Sequence, residues 1–388
     1  MKVCLATPEF PPAQWGGLAR TARNVARHVR DFGLDVHVAH FQVERDRLVL
    51  LDENRETRRV DGLTVHTIAL GKEKHLGVDR ELWDCPHSLT LQMMYQSLER
   101  LHGNMGFGLF HSFFLYPVGF VTGLLARRMS VPTIATVVGN DVKRYVFSPE
   151  KVGVCRSALE NADVVVGLSR DLVEMADALT PIEHKAHIVY NSVEVTEPAW
   201  APRHTSPFRI GCAGIFKYAK GLPYLLKAVA QVASRHDVQV DLVGTLRESE
   251  RDVYRTMMER TAVESVVHLK EPLPHDAIPS WLRTLDLFVL PSVTEGCPNI
   301  LMEALAQGVP CIATRTGAAE VLVADGSSGI LIPWGDSAAL ADAMSRLIVA
   351  PRLAESLGKT ARERMAEFSP EIEKRAWKQV YEGLLRGD

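Results

Sequence analysis

The stretch PSVTEGCPNILMEALAQGVP, residues 291–310, sets two carboxylates, Glu295 and Glu303, eight positions apart beside glycine, proline and asparagine. A carboxylate has acceptor sites for both hydroxyls of a vicinal diol, as in a ribose, and is a poor phosphate ligand. Glu303 stands inside the helical pattern NILMEALAQG, whose Leu301, Ala304 and Leu305 supply a buried side. Glu295 stands in the loop before it, where it can accept from sugar hydroxyls. Gly296 lets the backbone approach a ligand closely, and the helix that follows offers unpaired amides to a phosphate. The same residues also fit a surface Glu303 and a Glu295 placed to suit the helix macrodipole.

A second cluster, GCAGIFKYAKGLPYLLKAV (211–229), puts Gly214 after a strand pattern and Lys220-Gly221 directly before a helix. A lysine there is a mobile point charge suited to a diphosphate, or a plain surface residue. GxxxxGK[ST] is absent, so P-loop ATP hydrolysis is not indicated, and no GxGxxG follows the first strand. In PPAQWGGLART (11–21), Gly16 and Gly17 sit near a helix start, where paired glycines turn amides toward an anion or simply make a turn. His111 reads as the end of a fourth strand, on the rim where ligands bind, placed to bond a sugar hydroxyl or to serve the structure. Asn140 and Asp141 of GND end the next strand, and Ser169 and Asn191 the two after it. A sugar needs many fixed donors and acceptors, and this rim is polar for strands so apolar.

These residues need a scaffold that brings loops together. Short apolar runs such as KVCLAT, DVHVAHF, PTIATVV and DVVVGLS alternate with helical patterns, as in parallel sheets covered on both faces. The polar segment VTEPAWAPRHTSP, 195–207, carries three prolines, and after it the pattern restarts with FRIGCAGIF. The expected fold class is α/β, two doubly wound Rossmann-like domains facing a cleft, over residues 1–200 and 205–367.

At 388 residues the chain is long for one core. Hydrophobic content of 46% with 23% charged describes a folded soluble protein. A net charge of −3 gives no basic surface for nucleic acid. The six cysteines, Cys4, Cys85, Cys155, Cys212, Cys297 and Cys311, form no CxxC pair, which suits a reducing cytoplasm. MKVCLATPEF reads as a first strand rather than a signal peptide. FGLFHSFFLYPVGFVTGLLA, 107–126, is long enough to span a bilayer, but its proline, glycines and histidine favour a buried strand, a turn and a helix. ENRETRRV, 53–60, with Lys72 and Lys74, gives a modest positive charge that faces water or an anionic lipid surface.

The order GGLAR, NSVE (191–194), AGIFKYAKG (213–221), LPSVTEGCPN (290–299) and the E-x7-E element with PN inside it resembles glycosyltransferase family 4, retaining enzymes of the GT-B fold. The resemblance covers essentially the full chain and rests most on TEGCPNILMEALAQGVPCIATRTGAAEVLVADGSSGILIPWGD, 294–336. It implies that Glu303 holds the nucleotide ribose, Glu295 faces the transferred sugar and Lys220 meets the diphosphate. Gly16 and Gly17 would close the phosphate side and His111 touch the donor sugar near the reacting carbon. Gly296, Asn299 and Ile300 belong to the loop-to-helix junction. It also implies a terminal helix, 368–388, that crosses back to the first domain.

One departure concerns charge. The family commonly places an arginine where this chain has Ile215, and Lys217 is the nearest substitute, without the planar fork of a guanidinium. GND also replaces the family's histidine-glycine pair. The expected reaction moves a sugar from a UDP-, GDP- or ADP-type donor to a glycan, lipid-linked or small glycoside acceptor, with retention, same-face substitution, no metal and no other cofactor. The expected place is the cytoplasm, with peripheral contact to the inner membrane face left open. The alternatives are a GT-B epimerase or hydrolase and a non-catalytic sugar-nucleotide binder.

Overall fold

The computed structural model describes residues 1–12, 16–44, 55–71, 88–202 and 206–386; Lys72, Lys74 and Cys85 lie outside them. The chain folds as two compact units, Met1–Tyr190 with Glu373–Asp388, and Asn191–Ile372. Each is a doubly wound α/β unit.

The first unit carries eight strands: β1 (Lys2–Thr7), β2 (Asp35–Glu44), β3 (Arg55–Val60), β4 (Leu63–Gly71), β5 (Leu109–Phe113), β6 (Thr133–Val137), β7 (Val164–Gly167) and β8 (Ala186–Ile188). Their order is β3-β4-β2-β1-β5-β6-β7-β8, parallel except for the antiparallel β3–β4 pair. Every residue of β5, β6 and β7 is buried, as expected of strands covered on both faces. The basic run 55–60 is the edge strand β3, exposed at five of six positions. Asp61 and Gly62 both take positive φ there, as a two-residue hairpin turn with the twist of its strands requires. Among the described residues no helix is long and apolar enough to cross a membrane. The apolar segment 107–126 divides into β5, a π-helical turn Leu115–Gly119 and part of the helix Phe120–Met129.

The terminal helix Pro370–Arg386 lays Trp377, Val380 and Tyr381 into the first unit's core beside Val25, Val29 and Leu109. Its Glu373 meets His28 Nε2 at 3.3 Å and its Lys374 reaches Asp31 at 2.8 Å. The Tyr381 hydroxyl lies 2.7 Å from His111 Nδ1.

The second unit carries β9 (Phe208–Phe216), β10 (Val238–Leu246), β11 (Val267–Lys270), β12 (Leu287–Leu290), β13 (Cys311–Thr314) and β14 (Ile330–Ile332). They form one parallel sheet ordered β11-β10-β9-β12-β13-β14. The chain turns outward in opposite directions from β9 and β12, so the loops after these strands flank the switch point where doubly wound sheets take ligands.

Two glycines allow those loops to interlock. Gly221, at φ +67°, ends the β9 loop; a Cβ there would lie 1.8 Å from the Pro291 carbonyl oxygen of the β12 loop. Gly317, at φ +58°, sits against the Glu295 and Gly296 carbonyls, 2.5 and 2.3 Å from where its Cβ would be. Gly326, at φ +72°, has nothing within 4 Å of that position and separates backbone strain from contact.

Two outcomes follow. Gly221→Ala costs at least about 2 kcal/mol of stability, whereas Gly326→Ala costs about 1 kcal/mol, measured by urea unfolding. Burial pushes the His111 imidazole down to about 3. A folded-state pKa below the unfolded value of 6.5 means that its contribution is complete above about pH 6.5 and lost as pH falls toward 3. The pH slope of unfolding free energy below pH 6.5 is therefore smaller in His111→Asn by as much as one proton, about 1.4 kcal/mol per pH unit.

Candidate functional site

At the second unit's switch point the β9 loop, residues 217–221, and the β12 loop, 291–298, are tied by backbone and side chain alike. The Val293 N–H donates to the Ala219 carbonyl at 2.9 Å, and the Ala318 N–H to the Gly296 carbonyl at 2.7 Å. Thr314, at the end of β13, donates its hydroxyl to the Ser292 carbonyl at 2.5 Å. On this frame the Lys220 ammonium lies 2.6 Å from Glu295 Oε1, and the Ser292 hydroxyl donates to the same oxygen at 2.6 Å. Two residues 75 positions apart thus form one partly buried ion pair. The lysine stem passes over Gly214, its Cε 3.6 Å from where a Cβ would stand. Beneath lies Cys212, fully buried; burial pushes its thiol up to about 12, with Lys220 pulling it down and Glu295 raising it.

The helix Asn299–Gln307 begins at the end of the β12 loop, and no side chain caps its start. Asn191 holds that junction from the side, donating its amide to Asn299 Oδ1 at 2.9 Å and to the Cys297 carbonyl at 3.4 Å. Ile300 is half-buried beside it. Glu303, one turn further on, is 9% exposed, although a carboxylate among Leu301, Met302, Ala304 and Leu305 loses most of its water. His275 Nδ1 stands 3.8 Å from its Oε1. The site therefore holds a carboxylate aligned with a helix start, a cation, and loop amides within one loop pair.

Other expected residues fall elsewhere. Lys217 opens the turn that carries Lys220, and its carbonyl accepts the Lys220 N–H at 2.7 Å. Ile215, next to last in β9, is 60% exposed, so the place of the family's arginine is an apolar side chain. Gly16 precedes the helix Gly17–Asp31; the Glu9 carboxylate lies 2.9 Å from where a Gly16 Cβ would be.

His111 requires a correction. It is not at a rim but at the centre of β5, paired with Leu5 and Ile134, because the strand runs on to Phe113 before Phe114 ends it at φ +82°. It is wholly buried, with Nδ1 on Tyr381 and Nε2 2.7 Å from the Thr136 hydroxyl. Asp141 is likewise buried. Its carboxylate accepts from the Gly139, Val138 and Leu115 amides at 2.7, 3.0 and 3.4 Å, which ties the loops after β5 and β6.

Several residues gave no sequence signal. Ser292, Gly317 and His275 join the second unit's site only through the fold. In the first unit, Tyr116 and Tyr145 meet edge to face at 5.7 Å, with the Lys151 ammonium 5.0 and 4.5 Å from the two ring centres.

Comparison with known proteins places this arrangement. Residues 16–192 match the family described as Glycosyl transferase 4-like domain, and residues 207–350 match Glycosyl transferases group 1. A D-inositol 3-phosphate glycosyltransferase from Arthrobacter sp. (strain FB24) is 27% identical over 322 residues, 77% of this chain and 75% of that one. Among solved structures, a sucrose-phosphate synthase from Thermosynechococcus elongatus superposes with TM-score 0.78 at 20% identity over the whole of both chains. HepE from Anabaena, in complex with UDP and glucose, superposes with TM-score 0.75 at 17% identity, also over both whole chains. The two matched segments lie on the two units, and the second contains Lys220, Glu295 and Glu303 together. The chain therefore belongs to the group 1 glycosyltransferases and is an enzyme of GT-B fold.

Proposed function

We propose that this glycosyltransferase binds a nucleoside diphosphate sugar on its second unit and passes the sugar, with retention and without a metal ion, to a hydroxyl acceptor on its first. The observation that carries the reading is the Lys220–Glu295 pair on the interlocked loops, with the nearly buried Glu303 on the helix that follows. In this reading Glu303 accepts the ribose 2′- and 3′-hydroxyls. The diphosphate takes Lys220 from Glu295, which turns its freed oxygen to the hydroxyls of the transferred sugar. Gly296 and the helix-start amides near Asn299 and Ile300 face the phosphates. UDP in the Anabaena neighbour supports a uridine donor, with GDP and ADP types as the comparison.

As the bond between the anomeric carbon and the phosphate oxygen breaks, negative charge gathers on the diphosphate. Lys220 and the helix-start amides lie ready to stabilise it. The acceptor oxygen bonds the anomeric carbon on the face the phosphate leaves, and the departing phosphate oxygen takes the acceptor's proton. In this reading Glu295 binds the sugar hydroxyls, and no residue is assigned as a covalent nucleophile at the anomeric carbon. His111 enters as a neutral strut of β5 rather than as a sugar contact. Five buried free thiols, Cys4, Cys155, Cys212, Cys297 and Cys311, suit a reducing cytoplasm.

Calorimetric titration with UDP, GDP and ADP tests the donor site. One nucleotide should bind, with Glu303→Ala weakening it about tenfold or more, because a buried diol contact is lost. Lys220→Ala lowers turnover roughly 10²–10³-fold. Proton NMR of the product, formed in EDTA from a donor of known configuration, shows the same anomeric configuration; inversion, or loss of turnover restored by added magnesium, contradicts the mechanism.

A further inference from the structure

The first unit carries a lysine that the donor chemistry does not use. Its sheet has a switch point of its own between β1 and β5, and ligands of such sheets bind beyond the carboxyl ends of the strands. Tyr116 stands in the turn after β5, and Tyr145 in the loop after β6, which Asp141 ties to the first. The helix Pro149–Asn161 follows, and its third residue, Lys151, is half-buried with its ammonium against both tyrosine rings. Among the described residues no carboxylate pairs with that ammonium and no oxygen accepts from it. Lys143, on the loop before, is by contrast paired with Asp171.

The first turn of a helix is where a cation is least favoured, so the helix itself gives no reason for a lysine at this position. Aromatic faces attract an ammonium without neutralising it. A lysine has three N–H donors, so an oxyanion can still make a charge-assisted bond to one held in this way. Phe147, in the same short turn as Tyr145, is 76% exposed and offers an apolar face two residues on. Burial pushes the Tyr145 phenol up, and Glu9 of the loop after β1 adds to the shift, which places a hydroxyl acceptor on the same rim.

We propose that Tyr116, Tyr145 and Lys151 form the acceptor subsite of this transferase, and that its acceptor is a sugar or cyclitol ring bearing a phosphate or carboxylate group. The anionic group pairs with Lys151 while the ring lies against the aromatic rim. The proposal rests on the reading that the first unit takes the acceptor. Lys220 of the second unit already has Glu295 beside it, whereas the counter-charge for Lys151 comes from the ligand. A neutral glycan end supplies none, so the subsite discriminates by charge.

Calorimetry on the full chain, with UDP at saturation to cover Lys220, tests this with glucose, glucose 6-phosphate, glucuronate and inorganic phosphate as probes. Wild type should bind glucose 6-phosphate or glucuronate about tenfold or more tighter than glucose, and the larger gain names the anion. Inorganic phosphate, which lacks the ring, binds more weakly than glucose 6-phosphate. Lys151→Gln loses the preference for the charged sugar, Lys151→Arg keeps it within about threefold, and UDP binds all three proteins alike, which excludes loss of fold. The proposal is overturned if glucose binds as tightly as its charged forms, if no charged sugar binds at millimolar concentration, or if Lys151→Gln retains the preference. A wild type that binds no UDP would sink the donor-site reading instead, and the difference between wild type and Lys151→Gln would still decide the acceptor subsite.

Discussion

The second unit's switch point depends on two loops being locked at the ends of β9 and β12 in one parallel sheet. Gly221 lets the β9 loop pass against the Pro291 carbonyl, and Gly317 lets a third segment close on Glu295 and Gly296. The backbone bonds at Val293 and Ala318 then fix the loop pair. Only on such a frame can a lysine and a glutamate 75 residues apart stand 2.6 Å from each other with a serine hydroxyl on the same oxygen. The pair is not chiefly a source of stability, since partly buried ion pairs return little. In the proposed reading its value is that a cation is held in place, and kept neutralised, until a more strongly charged ligand arrives.

The first unit spends its polar groups differently. Its rim is shaped by a buried carboxylate, Asp141, that gathers amides from two loops, and by Phe114 at positive φ, which ends β5. Its one histidine on β5 is committed to the core, braced by Thr136 and by Tyr381 of the terminal helix. Trp377 and Tyr381 make that helix part of the first unit's core.

Much of this was legible in the sequence. The alternation of apolar runs with helical patterns gave the α/β class, since strands covered on both faces must read as unbroken apolar stretches. Glu295, Glu303 and Lys220 were visible because carboxylates, glycines and a lysine clustered at strand ends. The edge strand Arg55–Val60 was not, because a strand with no buried face has no apolar period to show. His111 was misplaced by two residues of strand, enough to turn a rim position into a core one. The helices Ser337–Val349 and Pro351–Arg364 meet at Ala350, where a proline at the first turn starts the second. His275 and Ser292 carried no local signal at all, because their contacts run across loops that only the folded sheet brings together.

The central claim is that the second unit is preassembled for a nucleoside diphosphate. A crystal structure of the complex with UDP tests it most directly. The account predicts both Glu303 oxygens within hydrogen-bond distance of the ribose hydroxyls, and the Lys220 ammonium moved from Glu295 onto a phosphate oxygen. A nucleotide bound away from the β9 and β12 loops, or one that leaves the Lys220–Glu295 pair intact with Glu303 untouched, would contradict it.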